Sequence, residues 1–437
     1  MTVSYKRIFI YIALFFSYKL LWLGYSVAVP FTNDPADFVL LGGMGMLILA
    51  LPIKRGLISA ALSRPFSKML APLIIFLIIN ISMAVSEQGV RLTFLSNRGW
   101  LYIIFLFVGY LIITPNFRLN DLIEVFRKFS FFASLSALFY SLTANPGDVT
   151  RLYFPLVSNL TAIFLIFNFL VYAQTKKTSA LYHVLLHVIV SILSFSRSWW
   201  VTIVLISCIA FLGMGKGSTK TFVRLSGVSL FVLAALLLLT ETDEGKRAES
   251  LFVDRYESGL ENIATNTGTY QHRLLMLMDA YDYVTDHPDK MTMFLGIGML
   301  HSDSALSRSL IGRGRSFGYT GRGALFECAY ANYLLGGGFL GLALIMSTYI
   351  LFSVYIFRYG SRKQTLNLET NVFLVCVGAY YLAYMAAMFF AANIEGAALG
   401  LLLLVAGALK KEKFLADAAK KHEEPAGVDP NLRVLPI

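Results

Sequence analysis

Apolar runs follow one another along most of this chain. A transmembrane helix needs about 20 predominantly apolar residues. Runs at 7–28, 38–53, 69–85, 99–114, 131–143, 156–173, 181–195, 199–214, 225–240, 338–357, 371–391 and 397–409 come close enough to that length to predict about twelve membrane helices. One long polar stretch, 241–337, interrupts the series. The pattern divides the chain into helices 1–9 (1–240), a long loop (241–337), helices 10–12 (338–409) and a charged tail (410–437). Inside the loop, residues 270–284 carry Leu274, Leu277, Met278, Tyr281 and Val284 at helical spacing. That spacing predicts an amphipathic helix lying on the membrane face. The expected class is an all-α polytopic integral membrane protein.

Composition agrees with this reading. Hydrophobic residues make up 57% of the chain and charged residues 14%, with a mean hydropathy of +0.66. Soluble domains carry about 25% charged residues, so a chain of two or three soluble domains is excluded. The net charge of +11 reads as cytoplasmic loop charge rather than as a nucleic-acid surface. Lys and Arg gather in alternate connections, whereas the short loops between them hold only Arg91, Arg98, Arg151 and Arg197. Short-loop asymmetry of this kind places both termini in the cytoplasm and the long loop outside. The short basic N-terminus precedes a first span rather than a removed signal. Cys208, Cys328 and Cys376 fall in or beside apolar runs and form no disulfide framework or paired zinc ligands.

Candidate chemistry collects in and beside the loop. Apart from Lys19, most span interiors read as free of acids and bases. Arg197 sits between two apolar runs, next to Trp199 and Trp200. An arginine at a helix mouth either holds a ligand or snorkels to the interface. Arg273 lies near the start of the amphipathic helix, and Arg308, Arg313, Arg315 and Arg322 stand among glycines. Forked guanidinium donors on flexible backbone suit phosphate or carboxylate, and equally the headgroups of membrane lipid. No Walker-type or dinucleotide fingerprint occurs, and His301-Ser302-Asp303 is too small a set for a metal site. Glu327 has the neighbours Phe326, Cys328, Ala329 and Tyr330. A carboxylate so placed is partly desolvated and suits a general base, the alternative being a helix N-terminal acid. Glu395, between the last two spans, is a second outward-facing acid.

Taken in order, several short motifs resemble the bacterial O-antigen ligase/polymerase superfamily. They are Ser196-Arg197-Ser198 at a helix mouth, Arg273 on a loop helix, His287-Pro288 with Gly296-Ile297-Gly298, and Gly338-Phe339-Leu340-Gly341. The resemblance covers most of the chain as topology and residues 195–342 as motifs. It implies a periplasmic catalytic loop in the bacterial inner membrane. It also implies that Arg197 and Arg273, with Arg313, Arg315 and Arg322 as further candidates, hold the diphosphate of an undecaprenyl-diphosphate-linked glycan. Ligases of this superfamily carry a histidine about eleven residues before the glycine turn; here that position is Glu327. The departure points to a polymerase that joins repeat units, with Glu327 or His301 as base. An O-antigen ligase and a lipid-linked glycan transporter are the alternatives. No cofactor or metal is implied, no nucleic acid is expected, and a chain-length regulator is an expected partner.

Overall fold

The structure, a computed structural model, describes residues 66–97, 118–143, 155–193, 197–214, 269–301, 304–313, 328–362, 366–387 and 396–423. Every regular element among them is a helix. In chain order they are α1 (Phe66–Asn97), α2 (Leu119–Thr143), α3 (Pro155–Thr175), α4 (Thr178–Leu193), α5 (Arg197–Met214), α6 (Thr269–Asp286), α7 (Lys290–Leu295), α8 (Ala305–Arg313), α9 (Ala329–Ser361), α10 (Leu368–Ala387) and α11 (Gly396–Glu423). Three segments are long and apolar enough to cross a membrane: Ser67–Phe94, Ala329–Ser361 and Leu368–Ala386. Shorter apolar helices cover Leu160–Thr175, Thr178–Ser191 and Thr202–Met214. Expected spans at 7–28, 38–53, 99–114 and 225–240 lie outside the described residues.

The core forms around α10. Residues 372–381 of this helix are buried on every side, as expected of a helix that is apolar all round. Phe373 meets Phe164 and Phe167 of α3 with ring centroids 5.7 and 6.0 Å apart. Tyr380, Tyr381 and Tyr384 cluster with Tyr349 of α9. Gly360 and Gly378 allow α9 and α10 to approach closely: a Cβ on Gly378 would lie 2.6–2.8 Å from Phe357. Small residues at a crossing serve membrane helices in this way.

One end of the bundle gathers segments that the charge pattern assigns to a single side. Glu369 at the start of α10 pairs with Lys177 (2.5 Å) and Arg127 (3.8 Å). Thr370 bonds Asn120, and the Leu119 N–H donates to Glu412 on α11 (2.9 Å). The helices also extend beyond their expected limits. The polar segment before 131 is already helical in α2, and α11 continues through the charged residues to Glu423. Backbone hydrogen bonding carries these helices past the membrane-length run that hydropathy detects.

The expected span 181–195 is a further exception, besides Lys19, to span interiors free of acids and bases. α4 carries His183 and His187, and His187 is fully buried. Its Nδ1 lies 3.0 Å from the Ser134 hydroxyl and its Nε2 3.3 Å from that of Ser130, while Ser134 also meets Thr161 at 3.2 Å. Three helices thus share one buried polar network. Ser134→Ala leaves the imidazole Nδ1 without its hydroxyl, and a buried polar atom so stranded costs about 1–3 kcal/mol. The expected result is a lower Tm for the detergent-purified protein; an unchanged Tm would show that the network contributes no stability.

Candidate functional site

At the other end of the bundle, the described part of the long loop packs on the beginning of α9. Met276, Ala280 and Val284, spaced four apart on α6, share an apolar cluster with Ile297, Leu300, Leu310 of α8 and Ala331, Leu334 and Leu335 of α9. The helix expected over 270–284 is present. Of the expected apolar stripe, Leu274, Met278 and Tyr281 face outward, while Val284 and Leu277 join Met276 and Ala280 on the side that meets protein. The helix is apolar on two sides, and spacing alone does not say which side meets protein. Tyr281 meets Phe339 edge-on at 5.9 Å. The outward face of α6 therefore continues into the exposed Phe339 and Leu340 of the membrane-length helix α9.

The two glycine motifs lock together through backbone. Helix α9 starts at Ala329, upstream of the expected start at 338, and Gly338 (φ 61, ψ −165) breaks it internally. A helix break frees carbonyls that would otherwise accept from residues four positions on. The Leu335 and Gly336 carbonyls accept instead from the loop, from Ile297 N–H (3.0 Å) and Gly298 N–H (2.8 Å). The loop reaches them from a short helix: Asp289 caps α7 by accepting from Met291 N–H, and Gly296 (φ 68) ends it. No side chain fits between the two segments. A Cβ on Gly296 would lie 2.5 Å from Gly336 C, and one on Gly338 would lie 2.4 Å from Phe294 C. Gly298 approaches α1 equally closely.

Around this docking the described candidate residues take separate places. Arg273 on α6 is half-buried, and its positive charge reaches Cys328, the residue preceding α9. Burial pushes the Cys328 thiol up. The backbone N–H groups of Ala331 and Tyr330, and then Arg273, oppose that rise. Arg273 is thereby placed close to the chain position next to Glu327. His301 lies three residues beyond Gly298, where its N–H donates to Gln88 Oε1 of α1 (2.7 Å). His287 accepts from Asp289 N–H through Nδ1 (3.2 Å), so it shapes the turn between α6 and α7. Arg197 is the first residue of α5, which packs against α9 and α10, and Arg313 is the last residue of α8. Arg315, Arg322, Glu327 and Glu395 lie outside the described residues. Among the described residues, no three His, Cys, Asp or Glu side chains converge as metal ligands would.

Sequence reasoning passed over the polar residues of α1. Asn80 and Asn97 are buried and bonded to each other (2.7 Å), and Gln88 and Ser96 bond the backbone of the loop. An amide inside the isoleucine-rich run of α1 was the available signal. Compared with known proteins, the sequence matches no family model and no curated protein.

Proposed function

We propose that this chain is a membrane glycosyltransferase that joins undecaprenyl-diphosphate-linked oligosaccharide repeat units into a surface polysaccharide. The observation that carries the reading is the glycine-to-glycine docking of the loop on α9. It holds Arg273, His301 and the chain position next to Glu327 at one end of the bundle. The outward apolar face of α6, continuous with Phe339 and Leu340, supports a loop that rests at the headgroup level. A lipid-linked donor carries its diphosphate at that depth.

In this reading a sugar hydroxyl of one repeat unit attacks the anomeric carbon of a second, lipid-linked glycan. The new C–O bond forms as the bond from the anomeric carbon to the diphosphate oxygen breaks. Glu327 or His301 takes the hydroxyl proton, and the lipid diphosphate leaves as the anion. Arg197 and Arg273, with Arg313, Arg315 and Arg322 as further candidates, stabilise that departing charge, where preorganised cations are most effective. The catalytic loop lies in the periplasm and both termini lie in the cytoplasm of a bacterial inner-membrane protein. A chain-length regulator is the expected protein partner.

One observation favours a second reading. The buried His187 network lies inside the bundle, and ionisable groups there often mark transport pathways in membrane proteins. A lipid-linked glycan transporter would use such a site. Cells lacking the chain separate the possibilities. The proposed polymerase predicts surface glycan carrying single repeat units. Loss of a ligase would leave no repeat attached, and loss of a transporter would confine lipid-linked units to the inner leaflet.

A further inference from the structure

The backbone around His301 is held by α1, a helix that contributes no residue to the chemistry proposed above. α1 is interrupted at Gly89 (φ 77, ψ 169), and residues 90–97 form a second arm. The arms are tied where Asn80 Nδ2 donates to Asn97 Oδ1 (2.7 Å). Side chains from both arms converge on the loop. Asn80 Oδ1 accepts from Met299 N–H (2.7 Å), and the Ser96 hydroxyl donates to the Met299 carbonyl (2.7 Å). Gln88 makes two contacts at once: Nε2 donates to the Met299 carbonyl (2.9 Å) and Oε1 accepts from His301 N–H (2.7 Å). Gln88 Nε2 also donates to Ser96 Oγ (3.0 Å), which orients the amide.

Such a set of contacts exceeds what the loop needs in order to dock. Two backbone bonds and the glycine contacts already fix residues 297 and 298. Beyond them, the side chains of α1 engage both polar backbone groups of Met299 and the N–H of His301. Gln88 is the one of these four polar side chains whose hydrogen bond is to the His301 N–H. A primary amide suits this place because it presents a donor and an acceptor on one rigid plane. Alanine offers neither, and glutamate would set an oxygen against the Met299 carbonyl.

We infer that Gln88 is a positioning residue: by bridging Met299 O and His301 N, it sets where the His301 imidazole stands at the reacting centre. The inference rests on the reading in which His301 serves glycosyl transfer. Misplacing a group by about 1 Å can cost 10²-fold in rate. Gln88→Ala is therefore expected to lower kcat by about 10- to 10²-fold with KM little changed. Gln88→Glu, which keeps the acceptor facing His301 N–H, should retain more activity than Gln88→Ala.

The test is a double-mutant cycle on the full chain in nanodiscs with a lipid-linked repeat unit as donor. In a His301→Ala background, Gln88→Ala should cost nothing further, because its effect acts through the imidazole. Equal fold-losses in both backgrounds would overturn the inference and leave Gln88 a merely structural residue. Histidine labelled at Cε1 supplies a readout independent of activity. The His301 resonance, identified by its loss in His301→Gln, should move in folded Gln88→Ala while the His187 resonance stays in place. If Gln88→Ala does not fold, Gln88→Met, which keeps the length of the side chain but offers neither the amide donor nor the acceptor to the loop, carries the same comparison. An unmoved His301 resonance would overturn the placement. If the wild-type chain makes no polymer, the functional reading fails, and the resonance alone decides whether Gln88 positions His301.

Discussion

Replacing Gly298 by alanine is expected to abolish polymer formation while leaving a folded membrane bundle. At φ 77 an alanine is strained wherever it stands, and here its Cβ would lie 2.2 Å from the Ala84 nitrogen and 2.5 Å from the Ala84 Cα. Both atoms are backbone in the middle of α1, so no side chain can swing aside. The loop must retreat, and the Gly298 N–H loses its bond to the Gly336 carbonyl (2.8 Å). His301 and the chain leading to it shift together. Displacement of about 1 Å or more at a reacting group can cost 10²-fold. Gly89 provides the control, because it has the same φ and nothing lies within 4 Å of its added Cβ. Gly89→Ala meets no clash but carries the strain of a positive-φ extended conformation (φ 77, ψ 169) that is essentially glycine's own, about 1–3 kcal/mol, and should keep more activity than Gly298→Ala. Activity and Tm measured side by side check the pair. Equal activity in the two variants would show that the tight packing around Gly298 is not needed for function.

Arg273→Ala is expected to lower the transfer rate by about 10²-fold or more, the cost of removing one donor from a preorganised anion site. Arg197→Ala should do the same. Arg273→Lys keeps the charge but loses the fork that spans two phosphate oxygens, so it should recover only part of the loss. The three variants are compared at saturating donor by the rate of glycan lengthening. A folded Arg273→Ala or Arg197→Ala protein that polymerises at the wild-type rate would remove that residue from the site.

Much of the helical architecture was legible from hydropathy, because a run of apolar residues near membrane length has few other uses. Each of α1, α2, α3, α4, α5, α9, α10 and α11 overlaps an expected span, several of them running past its limits, and three of these segments are long and apolar enough to cross a membrane. The loop helix α6 was legible from Leu274, Leu277, Met278, Tyr281 and Val284, but its buried face was not, since both faces are apolar. Gly296, Gly298 and Gly338 stood out as motifs, yet nothing in the sequence says that they meet. Backbone-to-backbone contact leaves no side-chain signature, and the partners are some forty residues apart in sequence. The start of α9 was placed too late for a related reason: a glycine run reads as a turn, and here it is a break inside a longer helix. His187 escaped notice because a neutral imidazole hardly interrupts an apolar run. Gln88 and Asn80 escaped because uncharged amides carry no motif until their backbone partners are known.

The most direct test of the central claim uses purified chain in nanodiscs, supplied with an undecaprenyl-diphosphate-linked repeat unit. The account predicts a ladder of longer lipid-linked glycans, with loss of the ladder in Arg197→Ala and in at least one of Glu327→Ala and His301→Ala. Transfer that occurs only when a lipid A core acceptor is added, or a folded chain that never lengthens its donor, would contradict it.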